Sequence, residues 1–254
     1  QNLGGTAIGT GFNAPRDYIM AVTEELRKLS GLSINRAENL IDATQNIDSI
    51  AEVSGMLKCL AVNLMKISED LRFLSSGPDG GIGELVLPAV QEGSSIMPGK
   101  VNPVIPEYVI QIAIQAMAND NSIAMAAGRG CLELNQFLPL ISTLLLDNFR
   151  LLERAVKALD VNCVRGIKLN LNRINGNLES SMAIFTYLSA YIGHDKAAAL
   201  YAESRQKNIS PKKAVVDSGI MSENEYDNLM KPEKFRTLGF IHGSKKSVTE
   251  KTGQ

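Results

Sequence analysis

The sequence has no tryptophan, and aromatic residues make up only 5% of its 254 residues. Leu, Ile, Ala and Met are plentiful instead, a mix that favours helix over sheet. There are only three cysteines, Cys59, Cys131 and Cys163, far apart and odd in number. That excludes a disulfide framework and a cysteine zinc spacing, and it suits a reducing, cytoplasmic setting. Charge of neither sign dominates: 26 Lys+Arg stand against 27 Asp+Glu. A dedicated nucleic-acid binder is therefore not expected. No apolar run approaches the roughly 18 residues of a membrane span, so no membrane partner is expected either. The chain begins Gln1-Asn2-Leu3-Gly4, without an initiator Met, a basic leader or a signal-like apolar segment. It is expected to be a piece of a longer protein.

What is present is mostly helical pattern. Asn13 followed by Pro15 is a helix start, with Asn13 as cap candidate, and the helix should stop near Gly31. Ile50, Val53, Leu57, Leu60, Leu64, Ile67, Leu71 and Leu74 alternate spacings of 3 and 4, an unbroken a/d seam. That helix should end near Ser75. Helix resumes near Pro106, where Ala113, Ala116, Ala118, Ala124 and Ala126 permit close helix approach. A second seam runs through Leu138, Ile141, Leu145, Asn148, Leu152, Ala155 and Leu159, with Asn148 its one polar member. The pattern dissolves around Leu169–Asn177. A boundary placed there gives a helical-bundle domain over 1–171, a small helical domain over 172–243 and a disordered tail over 244–254. Ser210-Pro211 opens one short helix, and Ser222 with Glu225 forms a capping box for another. The fold class expected is all-α, a long-helix bundle followed by a small helical domain. Helices this long and apolar on two sides need other long helices beside them, so a homo-oligomer is expected.

Residues 75–105 hold six of the 21 glycines and four of the nine prolines, which makes them a long irregular segment. Such a loop inside a helical chain is usually functional or disordered. Its most informative part is Gly93-Ser94-Ser95-Ile96-Met97-Pro98-Gly99-Lys100-Val101-Asn102-Pro103. Two hydroxyls, a lysine and an asparagine on such a loop can hold a carboxylate by charge and hydrogen bonds. A serine beside such donors loses its proton more easily than a free alcohol. A solvated Gly/Ser loop with a chance lysine also accounts for the same residues. Gly9-x-Gly11-x-x-Ala14 matches a dinucleotide fingerprint only superficially, because no strand or βαβ unit surrounds it. His194 and His242 have no ligand-spaced partner and read as surface or capping residues. Cys59 reads as packing.

The segment GSSIMPGKVNP resembles the signature loop of the aspartase/fumarase superfamily of lyases. Supporting motifs fall in the family's order: Gly4-Gly5-Thr6-Ala7-Ile8-Gly9-Thr10-Gly11, Asp42-Ala43-Thr44-Gln45-Asn46, Asp70-Leu71-Arg72, Ser76-Gly77-Pro78, Glu133-Leu134-Asn135 and Ile192-Gly193-His194. The resemblance covers residues 1 to about 242. Val104-Ile105-Pro106-Glu107, Asn119-Asp120 and Met125-Ala126-Ala127 are similar to the aspartate ammonia-lyase branch.

The resemblance implies reversible removal of ammonia from L-aspartate to give fumarate, through an aci-carboxylate dianion and without metal or cofactor. It implies Ser94 as the base. Ser95 and the backbone N–H groups of Ile96 and Met97 would bind the carboxylate that gains charge. Lys100 and Asn102 would hold the other carboxylate, and Glu107 would stand behind the site. It also implies a tetramer whose active sites draw on three subunits, and two upstream segments that this sequence does not contain. This chain alone is therefore expected to be inactive. Ser189-Ala190-Tyr191, Gln136-Phe137-Leu138-Pro139 and Gly128-Arg129-Gly130-Cys131 depart from the family pattern. They leave open a fumarase-like hydro-lyase, a related enzyme for a modified aspartate, or an inert helical fragment.

Overall fold

The computed structural model describes residues 1–77, 80–94, 96–97, 99–235 and 238. Its packing separates into two units, Gln1–Leu169 and Asn170–Gln254. The first contains α1 (Arg16–Ser30), α2 (Asp42–Gln45), α3 (Asp48–Leu74), β1 (Leu85–Val86), α4 (Val104–Ala127), α5 (Leu138–Asn162) and β2 (Lys168–Leu169). The second contains α6 (Leu171–Ser180), α7 (Ile184–Ile192), α8 (His194–Lys207), α9 (Pro211–Asp217), α10 (Glu223–Leu229) and α11 (Pro232–Phe235). The fold is all-α in character, and β1 with β2 makes one small antiparallel ladder. No helix among the described residues is long and apolar enough to cross a membrane.

Three helices of 27, 24 and 25 residues, α3, α4 and α5, form the bundle. Each is free of proline beyond its first turn, where proline costs no helical hydrogen bond. α4 lies between the other two. Its buried alanines, Ala113, Ala116 and Ala126, let its neighbours approach closely, whereas Ala118 and Ala124 are exposed. The seam expected on α5 does face inward: Ile141, Asn148, Leu152, Ala155 and Leu159 are all buried. The seam expected on α3 does so only in part: Leu64 is buried, and Leu57 and Leu71 pack against the core. The buried line there is Ser54, Ala61, Leu64 and Ser68, and Leu60 and Ile67 are 40% and 46% exposed. Small residues at 54, 61 and 68 bring α3 close to α4, which leaves Leu60 and Ile67 on the flank.

Polar side chains lock this bundle. Buried Asp120 accepts hydrogen bonds from Ser54 Oγ at 2.7 Å and Lys58 Nζ at 2.6 Å. The hydrogen bond and charge of Asp120 hold the Lys58 ammonium above the ordinary lysine range. On the other side of α4, Asn119 Nδ2 donates to Asn148 Oδ1 at 2.8 Å, and Asn148 Nδ2 donates to Ala116 O at 3.2 Å. The polar interruption of the α5 seam is thus the partner of a polar residue on α4. Asn148→Ala leaves the Asn119 amide buried without its acceptor, which costs about 1–3 kcal/mol. A urea titration should show that loss as a lower midpoint at unchanged slope. A change under about 0.5 kcal/mol would contradict the network.

Local signals account for several helix ends. α1 stops at Gly31, whose φ of 66° is left-handed. Its first residue is preceded by Pro15, and Asn13, expected as the cap, takes a φ of 64° outside the helix instead. Asn135 joins α4 to α5. It donates to Ala126 O at 3.3 Å and Ala127 O at 3.0 Å and accepts from Phe137 N–H at 2.9 Å. It so satisfies terminal carbonyls that the helix cannot.

In the second unit Ser210 caps α9, and the Ser222/Glu225 capping box opens α10. The unit's own core gathers Ile184, Phe185, Leu188, Leu200, Val215 and Tyr226. The stretch from Leu171, expected to be irregular, is helix α6, started by the Asn170 side chain accepting from Arg173 N–H. Residues 244–254 and His242 lie outside the described residues. His194 is exposed at the start of α8.

Candidate active site

The chain between β1 and α4 has no regular structure, but it is held at both ends. In front, Leu85 and Val86 pair with Leu169 and Lys168. Leu87 is buried in the bundle core. Pro88 packs on Gly166, where a Cβ would come within 2.5 Å of the proline ring. Behind, Val104 N–H donates to Asn102 O at 2.9 Å and Glu107 N–H to Pro103 O at 3.0 Å. The loop therefore runs directly into the first turn of α4.

Between these anchors the loop has a neck. Asn102 Nδ2 donates to Gly93 O at 2.8 Å. A Cβ added at Gly93 would sit 1.9 Å from Lys100 O. The two arms touch backbone to backbone at this point, which only a residue without a side chain permits.

Ser94 follows the neck and is half-buried. Its Oγ accepts from Ile96 N–H and from Met97 N–H, each at 3.1 Å. Two donors aimed at one hydroxyl oxygen favour its anionic form. Ser94 lines an open cavity of about 660 Å³ together with Val90, Glu92, Met97, Lys100 and Val101. Lys100 is exposed there and makes no ion pair among the described residues. An uncompensated cation at the same cavity can hold a substrate carboxylate, and the polarised serine oxygen can accept a proton from the carbon beside it.

The structure thus gathers Ser94, Met97 and Lys100 at one cavity and distributes the other expected residues around it. The N–H groups of Ile96 and Met97, expected at a substrate carboxylate, point at Ser94 Oγ. A serine side chain is short and readily reaches the amides two and three residues on. The Ile96 side chain is 90% exposed and does not line the cavity. Asn102 uses an amide N–H on the neck and does not line the cavity. Glu107 also stands outside it, with Oε1 3.8 Å from Arg72 Nη2. Ser95 lies outside the described residues. Among the described residues no group of three or more His, Cys, Asp or Glu side chains is placed to hold a metal ion.

Sequence reasoning missed two contributors. Gly93 is visible in the sequence only as the first residue of the signature, and its contact with Lys100 O joins positions seven apart. Arg72 was visible only as part of a motif, because its partner Glu107 lies on another helix.

The family model described as "Lyase" matches residues 1–118, and the one described as "Fumarase C C-terminus" matches residues 184–236. The chain belongs to the aspartase/fumarase superfamily of lyases. Among superfamily members, it is 41% identical over 231 residues to an aspartate ammonia-lyase of a Bacillus species, covering 91% of this chain and 49% of that protein. It is 40% identical over 232 residues to a class II fumarate hydratase of Helicobacter pylori, covering 91% and 50%. Among solved structures, the Brucella melitensis fumarate lyase:delta crystallin with cobalt bound matches with a TM-score of 0.84 and 42% identity, over 90% of this chain and 50% of that one. The chain spans about half the length of the curated relatives it matches.

Proposed function

We propose that the full protein is a carbon–nitrogen lyase that reversibly removes ammonia from L-aspartate to give fumarate. The observation that carries this reading is the Ser94 oxygen under two N–H donors in the cavity it shares with Lys100. Ser94, as the alkoxide, takes a proton from C3 of the substrate. The electron pair of that C–H bond moves into the adjacent carboxylate, which becomes an aci-carboxylate with two negative charges. The pair then returns to form the C2–C3 double bond while the C2–N bond breaks, and ammonia leaves with the bonding electrons. Stabilising the dianion is the hard step, and preorganised donors supply that stabilisation. Ile96 and Met97 N–H keep the serine oxygen charged, and Ser95 binds the carboxylate that gains charge. Lys100 holds the other carboxylate, and Asn102 closes the neck that presents it. Glu107 acts from behind the loop.

The 40% identity to a class II fumarate hydratase supports a second reading, in which L-malate is the substrate and water leaves. The same base and dianion serve both. Fumarate absorbance followed with L-aspartate and L-malate in parallel decides between them. Faster turnover of L-aspartate supports the ammonia-lyase, and turnover of L-malate alone overturns it. Lys100→Ala removes a charge-assisted contact made in ground and transition states alike. It should raise KM about 10- to 50-fold with a smaller change in kcat. An unchanged KM would remove Lys100 from the substrate.

A homotetramer is part of the same reading. Met56, Leu60 and Ile67 form an exposed apolar stripe on α3. Beside it an open apolar groove of about 540 Å³ runs between α3 and α5, lined by Leu57, Leu60, Phe149 and Val156. Apolar surface of this extent is usually covered. Light scattering should give a tetramer at micromolar concentration, and a stable monomer would contradict it. Cys59, Cys131 and Cys163 are free thiols, which suits the reducing cytoplasm.

A further inference from the structure

Arg72 stands in the last turn of α3 and Glu107 in the first turn of α4, at the end of the bundle from which the signature loop returns. Arg72 Nη1 donates to Glu69 Oε2 at 2.8 Å, which fixes the plane of the guanidinium. Its Nη2 then faces Glu107 Oε1 at 3.8 Å, and Arg72 is the cation paired with Glu107 among the described residues. Its Nε is buried without a hydrogen-bond partner. A buried donor left unmade opposes stability, so stability alone does not account for a guanidinium here. A lysine would reach the same carboxylates and leave no such orphan. What the planar group adds is direction, one nitrogen toward each of two helices.

The direction matters because of what Glu107 is attached to. Glu107 N–H donates to Pro103 O, and Pro103 follows Asn102, whose amide closes the neck on Gly93. Ser94 and Lys100 both project from that neck. We propose that Arg72 is a positioning residue of the signature-loop site: by holding Glu107 it fixes the first turn of α4 and, through it, the Asn102–Gly93 neck. The inference rests on the lyase reading of that loop.

The test is a double-mutant cycle in the full protein, with kcat and KM measured on whichever C4 substrate the wild type turns over. Arg72→Met is expected to lower kcat about 10- to 30-fold with KM changed less than about threefold, because Arg72 does not touch the substrate. Arg72→Lys keeps the cation without the planar direction and should recover less than about a third of that loss. On a Glu107→Gln background Arg72→Met should add less than about twofold, since its route of action is already gone. If Arg72→Met does not fold, Arg72→Gln takes its place in the cycle. Activity within twofold of wild type, or a full second loss on the Glu107→Gln background, overturns the proposal and leaves the lyase reading standing. A wild-type protein that turns over neither L-aspartate nor L-malate overturns the lyase reading and the proposal with it.

Discussion

Ser94→Ala is expected to lower kcat about a thousandfold while changing KM less than about threefold. The substitution removes the oxygen that Ile96 and Met97 N–H hold at 3.1 Å and leaves every other wall of the cavity in place. A base used only when the C3 proton moves contributes to the transition state and not to substrate binding. Steady-state kinetics on L-aspartate separate the two quantities. Turnover within about tenfold of wild type would remove Ser94 from the chemistry, because a lost general base costs at least about a hundredfold.

Gly93→Ala is expected to lower kcat/KM about a hundredfold through geometry alone. The new Cβ would lie 1.9 Å from Lys100 O, and real Cβ atoms stay beyond 3.0 Å, so the neck must open by about 1 Å. A displacement of that size at reacting groups typically costs about a hundredfold. Both Ser94 and Lys100 leave the neck within seven residues of Gly93, so neither escapes the shift. Gly55→Ala is the control: it lies in α3 with nothing within 4 Å of the added atom. That variant should keep wild-type activity and gain a little stability from helix propensity. Equal activity of the two alanine variants would mean that the neck does not position the site.

Much of this was legible in the sequence because the governing rules are local or periodic. The α5 seam could be read residue by residue, since an apolar stripe at helical spacing has one low-energy orientation against a neighbour. The capping box at Ser222 and the stop at Gly31 are short-range hydrogen-bond and dihedral rules. The α3 seam is only partly buried within the chain because two stripes share that helix. One is made of large residues and the other of Ser54, Ala61 and Ser68, and the close approach of α4 selects the small ones. Helix α6 was missed because asparagine and glycine weaken the helical pattern, and the cap at Asn170 restores it. The β1–β2 ladder joins residues more than 80 positions apart through two residues on each strand, too short a run to leave an alternating pattern.

At the site, the eleven-residue signature pointed to the right loop. It did not tell which donors meet which acceptors. The hydroxyl of Ser94 and the amide of Asn102 each have a nearby backbone partner that competes with a substrate. Only three-dimensional geometry shows that these partners are taken.

The most direct test follows the proton. Fumarate and ammonia supplied in heavy water, with the product read by NMR, should give L-aspartate carrying a single deuterium at C3 with the wild-type protein. No such product should appear on the same timescale with Ser94→Ala. Singly deuterated aspartate formed by Ser94→Ala at a rate within about tenfold of wild type would contradict the assignment of Ser94 as the base.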